Sequence, residues 1–111
     1  MKFIKRISPS AVLNIHSTGS IIYWDFDVND NLHKRLERLA YKANFYNEYV
    51  LMPKSASTRA RGGLADWVVY GLNRASITIE TGNVVCPLPF SQLKKIYEEN
   101  EEFFRWFFTD Y

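Results

Sequence analysis

Cysteine is nearly absent from this sequence, which has 111 residues and one cysteine, Cys86. A single thiol excludes an internal disulfide and a metal centre built from cysteines, and we expect Cys86 to be a small core residue. Long apolar runs are absent too, because no stretch approaches the ~20 residues of a membrane-spanning helix. The first residues lack the apolar segment of a secretory signal, so we predict a cytoplasmic protein with no membrane partner.

Neither sign of charge predominates. The 14 Lys and Arg residues and the 12 Asp and Glu residues give a net charge of +2. This balance does not indicate nucleic acid as a partner. Apolar residues make up 47% of the chain, which is enough for the packed core of one domain at this length.

Apolar periodicity predicts an α/β fold. Apolar runs and alternation indicate strands, and apolar residues three and four positions apart indicate helices. Two prolines exclude a regular helix over 86–89, and Ser91 is placed to cap a final helix. The predicted strands are 11–16, 21–24, 49–52 and 75–80, and the predicted helices are 31–43, 64–72 and 91–111.

Two polar side chains end strands of this predicted sheet. His16 ends the apolar run that begins at Ala11, and Glu80 follows the alternating Ile77 and Ile79. Open α/β sheets bind their ligands outside the carboxyl ends of strands. If the two strands are parallel, His16 and Glu80 project into one crevice. A histidine or a carboxylate at a strand end is more often structural than catalytic, so the pair carries more weight than either residue alone.

Two other stretches stand out. The loop over 54–61 contains Lys54, Arg59 and Arg61, which either hold a substrate carboxylate or only keep the loop solvated. The final helix has five aromatic residues in the six positions 103–108. A helix that is apolar all round must be covered on more than one side. We expect this end either to pack on a partner or on a second copy of the chain, or to be an exposed surface prone to association.

Four short motifs follow one another in order. They are His16-Ser17-x-Gly19, Gly62-Gly63-x-x-Asp66-Trp67, Ile77-Thr78-Ile79-Glu80 and Pro89-x-Ser91-Gln92. Together they resemble the C-terminal part of the zinc carboxypeptidase family, the carboxypeptidase A-like funnelins, and most closely the bacterial members that cut γ-D-glutamyl-diamino acid bonds in peptidoglycan peptides. The resemblance implies that residues 1–111 form a single partial domain, the C-terminal third of such a catalytic domain, with a mixed, largely parallel sheet flanked by helices.

The resemblance also implies roles for individual residues. His16 corresponds to the family's third zinc ligand, and Glu80 corresponds to its general base. Thr58 takes the place of the tyrosine that closes over substrate in the animal enzymes. The positions implied to bind an acidic peptide substrate are Ser17, Thr58, Arg59, Arg61 and Asp66.

Part of the family's site is missing from this sequence. The His-x-x-Glu motif that supplies the first two zinc ligands is absent, since the only other histidine, His33, precedes Lys34-Arg35-Leu36. The family's Asn-Arg pair for the terminal carboxylate is absent as well. A catalytic zinc ion needs about three protein ligands, so we expect a zinc metallocarboxypeptidase-like protein that is inactive alone.

Three hypotheses therefore stand side by side. The chain completes a metallopeptidase site together with a missing N-terminal half. Alternatively, it is a non-catalytic truncated homodimer, joined through the aromatic helix and an exposed sheet edge. The third hypothesis is a module that keeps the crevice and binds peptides without cutting them.

Overall fold

The structure is a computed structural model that describes residues 2–52, 63–83 and 85–111. Within these ranges, helices alternate with the strands of one four-stranded sheet. The helices are α1 (Lys2–Ile7), α2 (Asp30–Asn47), α3 (Leu64–Asp66) and α4 (Leu93–Asp110), and the strands are β1 (Ala11–Ser17), β2 (Ile21–Tyr23), β3 (Val50–Leu51) and β4 (Ala75–Thr81). A π-helical turn, Trp67–Gly71, follows α3, and a 3₁₀ turn, Phe90–Gln92, precedes α4.

The strands lie in the order β1-β4-β2-β3. The central strand β4 runs parallel to β1 and antiparallel to β2, and β2 runs parallel to β3. The predicted α/β class and mostly parallel sheet are therefore confirmed. The identification of this sheet with the carboxypeptidase fold stays a prediction.

The two faces of the sheet differ in chemistry. Side chains alternate along each strand, so Ile77 and Ile79 of β4 share one face with Ile22 of β2, and all three are buried. The neighbouring positions Thr78 and Glu80 point to the other face and are only half-buried. The apolar face forms the core with α2 and α4, and the polar face carries the candidate chemistry.

Helix α2 covers the apolar face of the sheet. Its buried apolar residues recur at helical spacing and are Leu32, Leu36, Leu39, Ala40 and Ala43. Asn29 caps the helix because its Oδ1 accepts a hydrogen bond from the Leu32 N–H at 3.0 Å. The helix ends at Glu48, which has a left-handed φ of 60°. The predicted helix over 31–43 is thus confirmed, with one further residue at its start and four at its end.

Helix α4 packs against α2 through the aromatic residues near its C-terminal end. Phe103 is completely buried, and the guanidinium of Arg38 lies 5.4 Å from the Trp106 ring centroid and 5.5 Å from that of Tyr111. Helix α2 therefore covers part of this aromatic end, and the expectation that the end also packs on a partner or on a second copy stays a prediction. Phe108 stays 80% exposed.

The start of α4 differs from the prediction. Ser91 lies inside the 3₁₀ turn, and the first helical residue of α4 is Leu93, with no side-chain cap. The prediction that Ser91 caps this helix is therefore wrong. No helix in the parts of the chain that the structure describes is both long and apolar enough to cross a membrane.

A buried polar network joins α2, the start of β3 and α4. Asn47 donates to Asn100 Oδ1 at 3.0 Å, and Asn100 donates to the Tyr49 hydroxyl at 3.1 Å. That hydroxyl donates to the Glu99 carboxylate at 2.7 Å. Burial, followed by the hydrogen bond to Glu99, raises the pKa of Tyr49 to about 12. Because each polar group is satisfied, the network fixes α4 against the end of α2.

Candidate active site

His16 and Glu80 occupy neighbouring positions at the carboxyl end of the parallel pair. In the β1–β4 register, His16 lies opposite Glu80 and Ser17 lies opposite Thr81. Paired positions on adjacent strands share a face and are about 4.8 Å apart. The predicted parallel pairing is therefore present, and it places the two side chains on the same face of the sheet.

Asn14 orients the His16 imidazole. Its Nδ2 donates to the Thr78 hydroxyl at 3.3 Å, and its Oδ1 lies 3.0 Å from His16 Nε2. An amide oxygen only accepts hydrogen bonds, so the neutral imidazole carries its proton on Nε2. The lone pair of Nδ1 is then free to accept a proton or to bind a cation.

Glu80 is half-buried on the central strand, with His16 opposite it on β1 and Ile21 opposite it on β2. Among the described residues, no hydrogen-bond donor or cation engages its carboxylate. Both carboxylate oxygens are therefore available to a water molecule or a substrate. This is the electronic condition that a general base requires.

Hydrogen bonds to backbone carbonyls brace this end of the sheet. The Thr81 hydroxyl donates to the His16 carbonyl at 3.0 Å. The Gly82 carbonyl accepts from the Gly19 N–H at 2.9 Å and from the Ser20 hydroxyl at 3.0 Å. The turn after β1 is thus tied to the end of β4, so the His16 and Glu80 backbones keep their relative position.

A cavity of about 520 Å³ opens beside His16, between the end of β1 and the start of α4. Its polar wall contains His16, Ser17 and Thr81, whereas Glu80 is not among the residues that line it. The opposite wall is mainly apolar and contains Leu88 and Phe90. A volume of this size lies within the range of ligand pockets, and one polar wall facing an apolar one is their usual composition.

Ser17, predicted to bind substrate, lines this cavity and approaches Cys86, with 3.5 Å between Oγ and Sγ. Cys86 itself is exposed. The expectation that it is a core residue is therefore wrong. The two prolines near it keep the segment extended at the surface rather than folded into the core.

Asp66 has a local structural contact. Its Oδ2 accepts a hydrogen bond from the Gly63 N–H at 3.0 Å at the start of α3. Ala65, beside it, is buried in the core. The remaining predicted substrate-binding residues, Thr58, Arg59 and Arg61, lie outside the described residues, as does Lys54.

The residues at hand do not make a complete zinc site. Within residues 2–52, 63–83 and 85–111, no group of three His, Cys, Asp or Glu side chains is placed to hold a metal ion. Among the described residues, the potential ligand paired with His16 in the strand register is Glu80. The second histidine, His33, is engaged elsewhere, with Nε2 3.1 Å from Asp25 Oδ1 and Nδ1 3.9 Å from Glu37 Oε2.

Sequence reasoning missed Asn14 and Thr78 as parts of this site. Asn14 stands two residues before His16, which places the two side chains on one face of a strand. That spacing was a usable signal. The contribution of Thr78 depends on the pairing of β1 with β4, which only the folded chain shows.

Comparison with known proteins gives one partial similarity and no family assignment. No protein-family model matches the sequence. The chain is 28% identical over 88 residues to the γ-D-glutamyl-L-diamino acid endopeptidase 1 of Lysinibacillus sphaericus. The match covers 79% of this chain but 21% of that endopeptidase, so the chain spans about a fifth of its length. The similarity is thus to part of a peptidase.

Proposed function

We propose that this chain is a peptidase segment that contributes Glu80 as general base and His16 as a zinc ligand. The observation that carries the proposal is the in-register placement of His16 and Glu80 at the carboxyl ends of two parallel strands. Ligands of open α/β sheets bind at such ends. The partial similarity to an endopeptidase supports the same reaction class.

Glu80 has a defined task in peptide hydrolysis. Its carboxylate takes a proton from the attacking water and passes it to the amine that leaves the cleaved bond. Both events need a carboxylate that is not held by an ion pair, and Glu80 has no such partner among the residues described. Its half-buried position on the central strand also limits its movement.

His16 has a second, separate task. Asn14 holds the proton of the imidazole on Nε2 and directs the Nδ1 lone pair away from itself. Zinc bound there would acidify a water molecule for attack on the peptide carbonyl. The other zinc ligands would have to come from residues outside the described ranges or from another polypeptide, since the described residues offer no group of three.

We propose peptides that contain a γ-D-glutamyl-diamino acid bond as the substrate class. The name of the similar endopeptidase supports this class. Such peptides carry free carboxylates, which Arg59 and Arg61 would bind as charge-assisted hydrogen-bond donors. The cavity beside His16 is large enough for a dipeptide-sized group.

A segment exchange tests the proposal. The matching segment of the Lysinibacillus sphaericus endopeptidase is replaced by this whole chain. We expect the chimera to hydrolyse a γ-D-glutamyl-diaminopimelate peptide. Glu80→Gln and His16→Ala should lower that activity at least 100-fold, whereas the matched control His33→Ala should change it little. A folded chimera with no activity, or with activity indifferent to Glu80→Gln, would contradict the proposal.

One observation favours a second candidate, a peptide-binding module without catalysis. The described residues form a cavity but no group of three metal ligands. The module would bind the same peptide in the presence of a metal chelator, with the loss of affinity confined to variants that alter the cavity wall, such as Phe90→Ser. Calorimetric titration of the isolated chain, with Phe108→Ser as the control, measures this.

A further inference from the structure

Strand β1 is an edge strand whose outer side has no pairing partner among the described residues. Its sequence, Ala-Val-Leu-Asn-Ile-His-Ser, contains no lysine and no proline. Natural proteins place such residues on edge strands to prevent pairing with other chains. The outer side of β1 therefore offers a ready site for strand addition.

Apolar surface lies at both ends of this strand. At the carboxyl end, Ile15 is 45% exposed and Phe90 is 91% exposed, and both line the cavity together with exposed Leu93. At the amino end, α1 has no buried residue and exposes Phe3 and Ile7. The two apolar surfaces are separated by the length of β1, about 20 Å for a strand of this size.

We propose that a second copy of this chain pairs antiparallel with β1 about a two-fold axis at Asn14, the middle residue of the strand. Antiparallel pairing places the start of one strand beside the end of the other. Helix α1 of each copy then approaches the cavity of the other copy, so Phe3 and Ile7 meet Ile15 and Phe90. The surface is self-complementary, as a two-fold interface requires.

The available area is suited to a stable dimer. Large aromatic side chains bury about 150–250 Å² each, so the exposed apolar side chains of one copy supply on the order of 500 Å². The backbone and polar side chains of β1 add to this, and a standard interface buries about 800 Å² per partner. The opposite edge, β3, is only two residues long and offers much less.

The charges near the cavity do not oppose this pairing. Lys94 and Lys95, beside Leu93, face Glu98 and Glu99 one turn later at 3.7 and 3.8 Å. These pairs reduce the repulsion that the basic residues of α1 would otherwise meet.

The dimer places α1 of the second copy beside the cavity in which we propose that the peptide binds, so peptide and α1 would compete for this surface. Metal binding at His16 is a separate property. With the axis at Asn14, the two His16 residues are separated by four residue steps, about 13 Å along the strands. Zinc ligands bind at about 2 Å from the metal, so the two histidines cannot share one ion. Dimerisation and metal binding are therefore separate measurements.

Sedimentation velocity of the full chain tests the interface. We expect a concentration-dependent mass that rises from 13.0 kDa to twice this value. Ile15→Lys places a charge on the β1 edge and should raise the dimer dissociation constant at least 10-fold. Val50→Lys makes the same kind of change on the exposed opposite edge and should leave it unchanged. Circular dichroism checks that both variants are folded.

Disulfide trapping tests the orientation even if Ile15→Lys fails to fold. In a Cys86→Ser background, Asn14→Cys places two thiols across the axis, where opposed Cβ atoms are about 4.5–5.5 Å apart, so oxidation should give a covalent dimer. Glu48→Cys, an exposed control away from β1, should not. A chain that stays monomeric at all concentrations would overturn the proposal. A dimer that tolerates Ile15→Lys but is broken by Phe108→Ser would also overturn it.

Discussion

The Oδ1 atom of Asn14 lies 3.0 Å from Nε2 of His16, and this contact decides which imidazole nitrogen is free. Both residues lie on β1, two positions apart, and thus on the same face of the sheet. Thr78 of β4 holds the Asn14 amide in the orientation that presents its oxygen to His16. The pairing of β1 with β4 therefore determines which nitrogen of the His16 imidazole carries the proton.

Removal of the Asn14 amide should release the imidazole from this tautomer. Asn14→Leu has similar volume but accepts no hydrogen bond, so we expect the His16 ring to show both neutral tautomers. Asn14→Asp keeps an acceptor and should retain the proton on Nε2. Long-range ¹H–¹⁵N NMR of the histidine ring measures the tautomer. In the segment-exchange chimera, Asn14→Leu should lower activity about 10- to 100-fold. Identical His16 spectra in wild type and Asn14→Leu would contradict this role.

The raised pKa of Tyr49 predicts a loss of stability at alkaline pH. The unfolded tyrosine deprotonates near pH 10.0, whereas the folded one deprotonates near pH 12. Between these values the unfolded chain binds fewer protons than the folded chain, so the free energy of unfolding falls as pH rises. The loss should reach about 2 kcal/mol above pH 12. Urea denaturation at a series of pH values measures it.

Replacing Tyr49 with phenylalanine distinguishes the stability that comes from the buried hydrogen-bond network from the pH dependence that comes from deprotonation of the Tyr49 hydroxyl. Tyr49→Phe leaves Glu99 and Asn100 without one partner each, which should cost about 1–3 kcal/mol at neutral pH. It should also remove the part of the alkaline slope that comes from Tyr49. Tyr97→Phe, at an exposed tyrosine on α4, is the control and should do neither. An unchanged slope in Tyr49→Phe would show that other groups cause the alkaline loss.

The turn that directly follows β4 requires a glycine at position 82. Its φ is +79°, and a Cβ there would lie 2.7 Å from Leu88 Cδ1. We expect Gly82→Ala to lower the free energy of unfolding by about 1–2 kcal/mol, because a side chain is strained at positive φ and displaces Leu88 from the cavity wall. Thermal unfolding measures the change.

Two companion variants identify the cause. Gly71→Ala adds a Cβ whose nearest neighbour is 3.5 Å away and should be tolerated. Leu88→Ala combined with Gly82→Ala should recover the steric part of the loss but not the part that comes from φ. If Gly82→Ala were as stable as wild type, the turn would not depend on glycine.

Local patterns predicted most of the elements. The apolar spacing from Leu32 to Ala43 determines α2, and Asn29 starts that helix by a contact three residues away. The alternation around Ile77 and Ile79 determines β4 in the same way. These predictions succeed because residues three or four apart share one face of a helix and alternate residues share one face of a strand.

Two predictions about how segments pack were wrong. Cys86 is exposed, although cysteine is a residue type that is usually buried. Helix α4 begins at Leu93, so Ser91 does not cap it. Part of the aromatic end of α4 is covered by α2, through Arg38 and the rings beneath it. The exposure of Cys86, the start of α4 and the cover of its aromatic end all depend on which segments pack against these residues. The local sequence carries little information about such packing.

The sequence by itself determined that this chain has α2, β1 and β4, and that His16 and Glu80 stand near strand ends. The tertiary structure alone decided that the two strands pair in parallel with His16 opposite Glu80 and that Asn14 fixes the imidazole. It also decided that, within the described residues, no strand pairs with the outer side of β1. The physical reason is the range of the interactions. The apolar periodicity that determines helices and strands extends over only a few residues. The strand register, and which strand lies at the edge of the sheet, depend on contacts between segments more than sixty residues apart.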